Sequence, residues 1–165
     1  ARDNGFDAAL QIDGDGQHDP REAHKILAPV IDGEADMVIG SRFLPPARGD
    51  RSSWARRAGI RFFVRLISAL TRQRITDPTS GFRAYNRKMI GIFARYYPHD
   101  FPEPEAIAVA GRYRARIREV AVTMRKRSGG KSSIRYLKTL YYMIKVTFAI
   151  LLDKLKHQEV YVPHD

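Results

Sequence analysis

A strand–loop–helix–strand pattern in residues 8–40 is the strongest constraint on what this chain can fold into. Residues 8–12 read as a short buried strand, and a second apolar segment at 36–40 reads as another. A helix lies between them, with aspartate as the N-cap, proline at the first helical position and glutamate closing a capping box: Asp19, Pro20 and Glu22. Two strands joined by a helix predict an α/β domain with a parallel sheet.

Apolar periodicity predicts the remaining elements. The expected helices cover residues 53–73, 87–96 and 134–156, with a further helix starting at Glu105, and a strand is expected at 117–123. Loops rich in turn residues or basic residues separate them at 77–81, 99–104 and 126–133. This divides the chain into an α/β domain over residues 1–133 and a C-terminal amphipathic helix with a tail over 134–165.

Composition limits the chemistry and points to an anionic partner. The chain has no cysteine, which excludes disulfide scaffolds, zinc–cysteine sites and thiol catalysis. Its net charge of +11 is uneven, because residues 1–50 carry −5 and residues 51–165 carry +16. Such a distribution favours a partner with several negative charges, for which nucleic acid, anionic lipid and phosphorylated small molecules all qualify. No apolar stretch reaches the ~20 residues that span a membrane.

The loop directly after the first predicted strand carries the sharpest chemical signal. Asp13 and Asp15 are two positions apart and are separated by glycine, so both carboxylates can reach one hard cation, and Gln17 adds a neutral oxygen. Mg²⁺ and Mn²⁺ prefer such ligands and share them with substrate phosphates. An ordinary surface turn also uses Asp and Gly. His18 is either a ligand or base, or a hydrogen-bonded loop residue.

Basic residues supply two further candidates. Arg42 follows the second predicted strand and can therefore reach the same sheet edge, although a surface salt bridge explains it equally well. The loop over residues 126–133 combines Arg127, Lys131 and Ser132 with two glycines, a set of donors that suits a pyrophosphate. A solvated basic loop is the alternative for that segment.

Four motifs in order resemble a known family. They are LQIDGDGQHDP, DMVIGSRFL, ITDPTSGFRAYNRK and the basic loop RSGGKSS. Together they resemble family 2 glycosyltransferases of the polyprenyl-phosphate mannose and glucose synthase group. That resemblance implies a GT-A fold, which is Rossmann-like and binds a nucleotide-sugar. It covers the C-terminal two thirds of such an enzyme, and the N-terminal nucleotide-binding part of the family has no match in this chain.

The resemblance assigns a role to each candidate. Asp13 and Asp15 match the DxD metal motif and Gln17 the third ligand, for Mg²⁺ or Mn²⁺. The resemblance implies that Arg127 binds the donor's pyrophosphate, together with Lys131 and Ser132. It implies that the acceptor phosphate is bound by Arg42, by Arg56 or Arg57 and by Ser80. Asp77 and Gly81 belong with Ser80 to the loop that lines the acceptor site.

The implied reaction is transfer of a hexose from a nucleotide-sugar, with inversion, to an acceptor such as a polyprenyl phosphate. A hydroxyl acceptor requires a base, for which Glu103 and Glu105 are candidates. The implied location is cytoplasmic, peripheral at the inner face of the membrane, with no nucleic-acid partner. The competing hypotheses are a basic nucleic-acid-binding module, which the charge permits although no recognition motif is present, and an inactive scaffold fragment.

Overall fold

The computed structural model describes residues 1–45, 54–98 and 102–125, together with 145, 147 and 148; at 54–60 and 63 it describes the backbone alone. The strands are β1 (Ala8–Gln11), β2 (Met37–Ser41), β3 (Arg83–Asn86) and β4 (Ile117–Ala121). The helices are α1 (Ala23–Ile31), α2 (Trp54–Thr71), α3 (Arg87–Tyr96) and α4 (Pro102–Arg112). A 3-10 turn at Pro20–Glu22 leads into α1.

The four strands form one mixed sheet in the order β1-β3-β2-β4. Strand β3 is antiparallel to both β1 and β2, whereas β2 and β4 are parallel. The prediction of a parallel sheet was therefore wrong for β3, which lies between the two strands of the initial pattern. This strand is four residues long, follows a turn and runs directly into α3, so its alternation is too short to be recognised in the sequence.

Helices cover both faces of the sheet. On one face, α1 contributes Ile26 and Val30 to a core that includes Phe82 and Val122. On the other face, a larger core combines side chains of β2 and β3 with α2, α3 and α4: Met37, Ile39, Tyr85, Ile67, Met89, Ile92 and Ile107. Burial on both faces explains why β2 reads as a continuous apolar run in the sequence.

The helix starts follow local chemistry, with two differences from expectation. Asp19 caps the 3-10 turn by accepting a hydrogen bond from the N–H of Arg21. Glu22 does not close a capping box. Its carboxylate accepts from the N–H of Thr123, which links the start of α1 to the segment that follows β4. Helix α4 begins at Pro102 rather than at Glu105. Proline is tolerated in a first helical turn, where its missing N–H costs nothing, and so residues 102–104 of the apparent Pro-rich loop are helical.

The predicted helix at 134–156 and the boundary at 133/134 lie outside the described residues, apart from three positions in the helix. No helix within the described ranges is long and apolar enough to cross a membrane.

Candidate active site

The predicted functional segments meet at one edge of the sheet. Strands β1, β2 and β4 run in the same direction, so their carboxyl ends share this edge, and β3 begins there because it runs the opposite way. The edge therefore collects the loop after β1, the start of the loop after β2, the loop before β3 and the exit of β4. In α/β sheets this is where ligands bind.

Asp13 lies directly over the backbone of Gly81, which joins the loop after β1 to the loop before β3. A Cβ added at Gly81 would come within 2.5 Å of Asp13 Cγ. The side chain of Asp13 is 45% exposed, so its carboxylate is held from below and open to solvent above. The neighbouring His18, with weaker contributions from Arg83 and Arg42, holds the pKa of Asp13 below its usual value.

His18 is a buried member of this loop. Its ring stacks at a tilt against Phe82, with 4.9 Å between the ring centroids. Nε2 lies 3.4 Å from Asp13 Oδ2, a long contact, and neither ring nitrogen makes a well-formed hydrogen bond within the described part of the chain. Packing thus accounts for much of its position, and Asp13 is its polar neighbour.

The metal-candidate loop is also bonded to the segment that leaves β4. The N–H of Arg125 donates to Gln17 O at 2.8 Å, and its guanidinium donates to Asp19 Oδ2 at 2.7 Å. His18 forms an isolated antiparallel bridge with Met124. The chain therefore reaches residue 125 beside the loop that contains Asp13, two residues before the predicted pyrophosphate arginine.

Arg42 forms a paired interaction with Asp77. Its Nε and Nη2 donate to the two carboxylate oxygens at 2.6 and 2.7 Å, and its backbone N–H also donates to Oδ2. Nη2 donates in addition to Thr79 Oγ1. Asp77 is completely buried and the side chain of Arg42 is 13% exposed, so the pair fixes the orientation of the guanidinium at the site's edge.

Two ionic side chains that sequence reasoning missed hold the loop at 76–81. Glu119 on β4 accepts from the backbone N–H groups of Thr76 and Asp77 at 2.8–2.9 Å. Arg83 on β3 is fully buried and donates to the carbonyls of Pro78 and Ser80 at 3.3 and 2.7 Å. Burial raises the pKa of Glu119, and the neighbouring Asp77 acts in the same direction.

A signal for Glu119 was present in the alternation of the predicted strand at 117–123, whereas β3 is too short to give one for Arg83 from the sequence. Arg83 lies between Phe82 and Ala84, and Glu119 lies between Arg118 and Val120, each at a position whose face is covered by helices. Charged residues are rarely buried unless paired or hydrogen-bonded, so a charge at such a position indicates a specific partner.

Some of the remaining predicted residues have described side chains and the others do not. Ser80 is fully buried and its hydroxyl accepts from the N–H of Phe82 at 3.3 Å, so in this structure it shapes the loop. Glu103 and Glu105 lie in the first turn of α4, where acidic residues favour the helix dipole. Arg56 and Arg57 lie in the first turn of α2, but their side chains are outside the described residues, as are Arg127, Lys131 and Ser132 entirely.

The donor set after β1 suits a divalent ion shared with a substrate. Asp13 presents an exposed carboxylate, Asp15 Oδ1 accepts from the N–H of Gln17, and the Gln17 amide nitrogen donates to Arg125 O, which leaves its amide oxygen as a ligand. Within the described ranges, no three His, Cys, Asp or Glu side chains could hold an ion among themselves. Mg²⁺ is usually bound by one or two carboxylates plus substrate phosphates, and so these residues fit.

Comparison with known proteins gives consistent results. The model of the glycosyl transferase family 2 matches residues 7–92. The chain is 24% identical over 155 residues to a UDP-N-acetylglucosamine–dolichyl-phosphate N-acetylglucosaminyltransferase of Methanococcus voltae, covering 90% of this chain and 62% of the relative. It is 31% identical over 86 residues to a polyprenol monophosphomannose synthase of Mycolicibacterium smegmatis, covering 52% of this chain and 32% of the relative.

Two crystal structures of glucosyl-3-phosphoglycerate synthase from Mycobacterium tuberculosis share the fold. One, with phosphoglyceric acid, has a TM-score of 0.62 at 17% identity and covers 94% of this chain and 52% of the other. The second, with Mn²⁺, UDP-glucose and phosphoglyceric acid, has a TM-score of 0.59 at 18% identity and covers 91% and 50%. The matches thus cover about a third to two thirds of the length of these proteins.

Proposed function

Because the chain belongs to glycosyl transferase family 2 and has the GT-A fold expected from its sequence, we propose that it transfers a hexose from a nucleotide-sugar to a polyprenyl phosphate, with inversion. The observation that carries this proposal is the convergence of Asp13, Arg42 and the loop at 76–81 on one sheet edge. A carboxylate that could bind a metal and an oriented guanidinium there both contact one loop, so a cation-binding group and an anion-binding group lie at the same edge.

On the donor side, Asp13, Asp15 and Gln17 would hold Mg²⁺ or Mn²⁺. The ion supplies positive charge that neutralises the leaving nucleoside diphosphate. The likeness to a structure that contains Mn²⁺ and UDP-glucose supports this assignment. The carboxylate of Asp13 itself lies against Gly81 and beside His18.

Arg127, Lys131 and Ser132 complete the donor side in this proposal. Arg127 is two residues beyond Arg125, whose backbone and guanidinium are bonded to the loop after β1. A guanidinium this close in sequence can reach the phosphates that the metal site binds. Its role is to bind and orient the pyrophosphate through charge-assisted hydrogen bonds.

On the acceptor side, Arg42 and Arg57 orient the acceptor phosphate, and the buried Ser80 shapes the loop beside Arg42. A phosphate monoester has a second pKa of about 6, so it is largely dianionic at neutral pH and needs no general base. Orientation is therefore the main requirement, and the paired contact between Arg42 and Asp77 supplies a guanidinium with a fixed direction. The homologues named for dolichyl and polyprenol phosphates support this acceptor class.

We place the chain at the cytoplasmic surface of the membrane, where a lipid-linked acceptor is found. Helix α2 exposes Arg61, Phe62 and Arg65, which suit an interface with anionic headgroups.

A transfer assay tests the proposal directly. The 165-residue chain is mixed with a radiolabelled nucleotide-hexose, Mn²⁺ or Mg²⁺ and geranyl phosphate, and label in the lipid product is counted with and without a chelator. Asp15→Asn should abolish transfer and Asp32→Asn should not, because Asp32 is an exposed carboxylate at the end of α1. Transfer that persists in excess chelator or in Asp15→Asn would contradict the metal assignment. Binding of duplex DNA without nucleotide-sugar binding would favour the nucleic-acid alternative.

A further inference from the structure

The loop at 76–81 connects the two halves of the candidate site. Near its start, Asp77 holds the guanidinium and the backbone N–H of Arg42. At its end, Gly81 supports the carboxylate of Asp13. Whatever fixes this loop therefore also sets the relative positions of an acceptor-side cation and a donor-side carboxylate.

Separate side chains hold the two ends of this loop. Glu119 accepts from the N–H groups of Thr76 and Asp77, next to the pair with Arg42. Arg83 donates to the carbonyls of Pro78 and Ser80, next to Gly81. The hydroxyl of Thr76 is also bonded to the buried Ser41 Oγ at 2.7 Å, which strengthens the start of the loop from β2.

We propose that Glu119 is a positioning residue for the acceptor side of the site, acting through Asp77 on Arg42. This inference rests on the proposed function. The Glu119 carboxylate is the acceptor for two adjacent backbone N–H groups, one of which belongs to the residue that orients Arg42. Without that acceptor the two N–H groups lose their partner in a partly buried position, and the chain near Asp77 must move to find another.

Because Glu119 and Arg83 hold different ends of the loop, loss of Glu119 should affect the two substrates differently. Loss of Glu119 releases the start of the loop and with it Arg42, whereas Arg83 still holds the end that supports Asp13. Acceptor use should therefore suffer while donor and metal binding are preserved. A residue that merely stabilised the fold would affect both substrates together.

The experiment compares Glu119→Ala with Glu34→Ala in steady-state transfer to geranyl phosphate. Alanine removes the acceptor that the N–H groups of Thr76 and Asp77 share, whereas the amide oxygen of glutamine would replace it. Glu34 is a matched control, because it is an exposed carboxylate that pairs with Arg118, the neighbour of Glu119 on β4. We expect Glu119→Ala to raise the KM for geranyl phosphate at least about tenfold, the size of a lost charge-assisted hydrogen bond. The KM for nucleotide-sugar should stay within about twofold, and Glu34→Ala should match the unmodified chain. Equal changes in both KM values, or none, would overturn the proposal.

Amide hydrogen exchange without any ligand separates this inference from the proposed function. Glu119→Ala should accelerate exchange at the amides of Arg42, Thr76 and Asp77, and Glu34→Ala should not. If the unmodified chain shows no transfer, the proposed function fails and these amides alone decide whether Glu119 positions Arg42. Unchanged protection at Arg42 overturns the inference. Glu119→Asp keeps the charge on a shorter side chain, so it should show the same asymmetry at smaller size and replaces Glu119→Ala if that variant does not fold.

Discussion

Substituting Gly81 by alanine should separate the activity of the site from the stability of the fold. The added Cβ would lie 2.5 Å from Asp13 Cγ, whereas ordinary carbon–carbon contacts are about 3.5–4.0 Å. The carboxylate must therefore move by about 1 Å or adopt another rotamer. Asp13 can do this at little cost, because the atoms that clash are at the end of an exposed side chain.

The expected cost to transfer is about 100-fold, because a displacement of about 1 Å in a reacting group can lower a rate by that factor. Thermal stability should stay close to that of the unmodified chain. Replacing glycine by alanine at a compatible backbone position stabilises a protein by about 0.4–1 kcal/mol through the unfolded state, and this offsets the small rearrangement of Asp13. Metal-dependent transfer and thermal melting are measured on the same preparation.

Gly111 provides the opposite control. A Cβ there would lie 2.6 Å from Thr71 Cγ2 and 3.1 Å from Thr71 Cα, where α4 packs against α2. Overpacking of this kind costs about 1–3 kcal/mol, so Gly111→Ala should lower the melting temperature without a specific effect on metal dependence.

A double substitution identifies the contact responsible. In an Asp13→Ala background the carboxylate is absent, so adding Gly81→Ala should cause almost no further loss of transfer, and the two changes should be strongly non-additive. Full activity of the single Gly81→Ala variant, or an additive loss in the double variant, would refute the reasoning that Gly81 acts by supporting Asp13.

Three further outcomes are expected. Arg127→Ala should weaken binding of a nucleoside diphosphate far more than binding of the nucleoside, measured by calorimetry, and equal losses would indicate a structural role instead. Burial of Asp36 raises the pKa of its carboxyl, but hydrogen bonds from Arg116 outweigh this and hold the pKa below its usual value. The charged Asp36 therefore stabilises the fold near neutral pH, and this stabilisation is lost as the pH falls through the lowered pKa. Asp36→Asn should make the unfolding free energy less dependent on pH in the acid range. The chain should bind anionic vesicles at low ionic strength and dissociate as salt rises, and indifference to vesicles at low salt would contradict a membrane-surface role.

The sequence predicted the parts of the fold that depend on local pattern. Strands β1 and β2 and helix α1 were located within a residue or a few, because their apolar periodicity and the start at Asp19 and Pro20 are local signals. Strand β3 was missed because four residues between a turn and a helix carry too short an alternation to be recognised. Its antiparallel direction depends on pairing with strands far away in sequence, which no local signal contains.

In the candidate site, too, the features that follow from local pattern could be predicted, and those that depend on distant contacts could not. Asp13 and Arg42 could be placed together because each follows a predicted strand, and the sheet brings those strand ends to one edge. The loop at 76–81 was linked to them only by the family resemblance, because the strand that follows it was not predicted. The contacts of Glu119 and Arg83 could not be predicted, because they are set by which backbone groups of a distant loop come within reach. The roles of Arg127 and its neighbours stay predictions, since those residues lie outside the described part of the chain.

The position of β3 between β1 and β2 also determines when the sheet can assemble during synthesis. In the described chain, β1 and β2 form ladders only with partners that come later: Ala8 pairs with Asn86, and Met37 with Tyr85 and Ile117. Among the four described strands, no pairing can begin until residues 83–86 have left the ribosome, and β2 pairs with β4 only after residue 121. Because such distant pairings must overcome a large loop-closure entropy, we expect these four strands to assemble slowly.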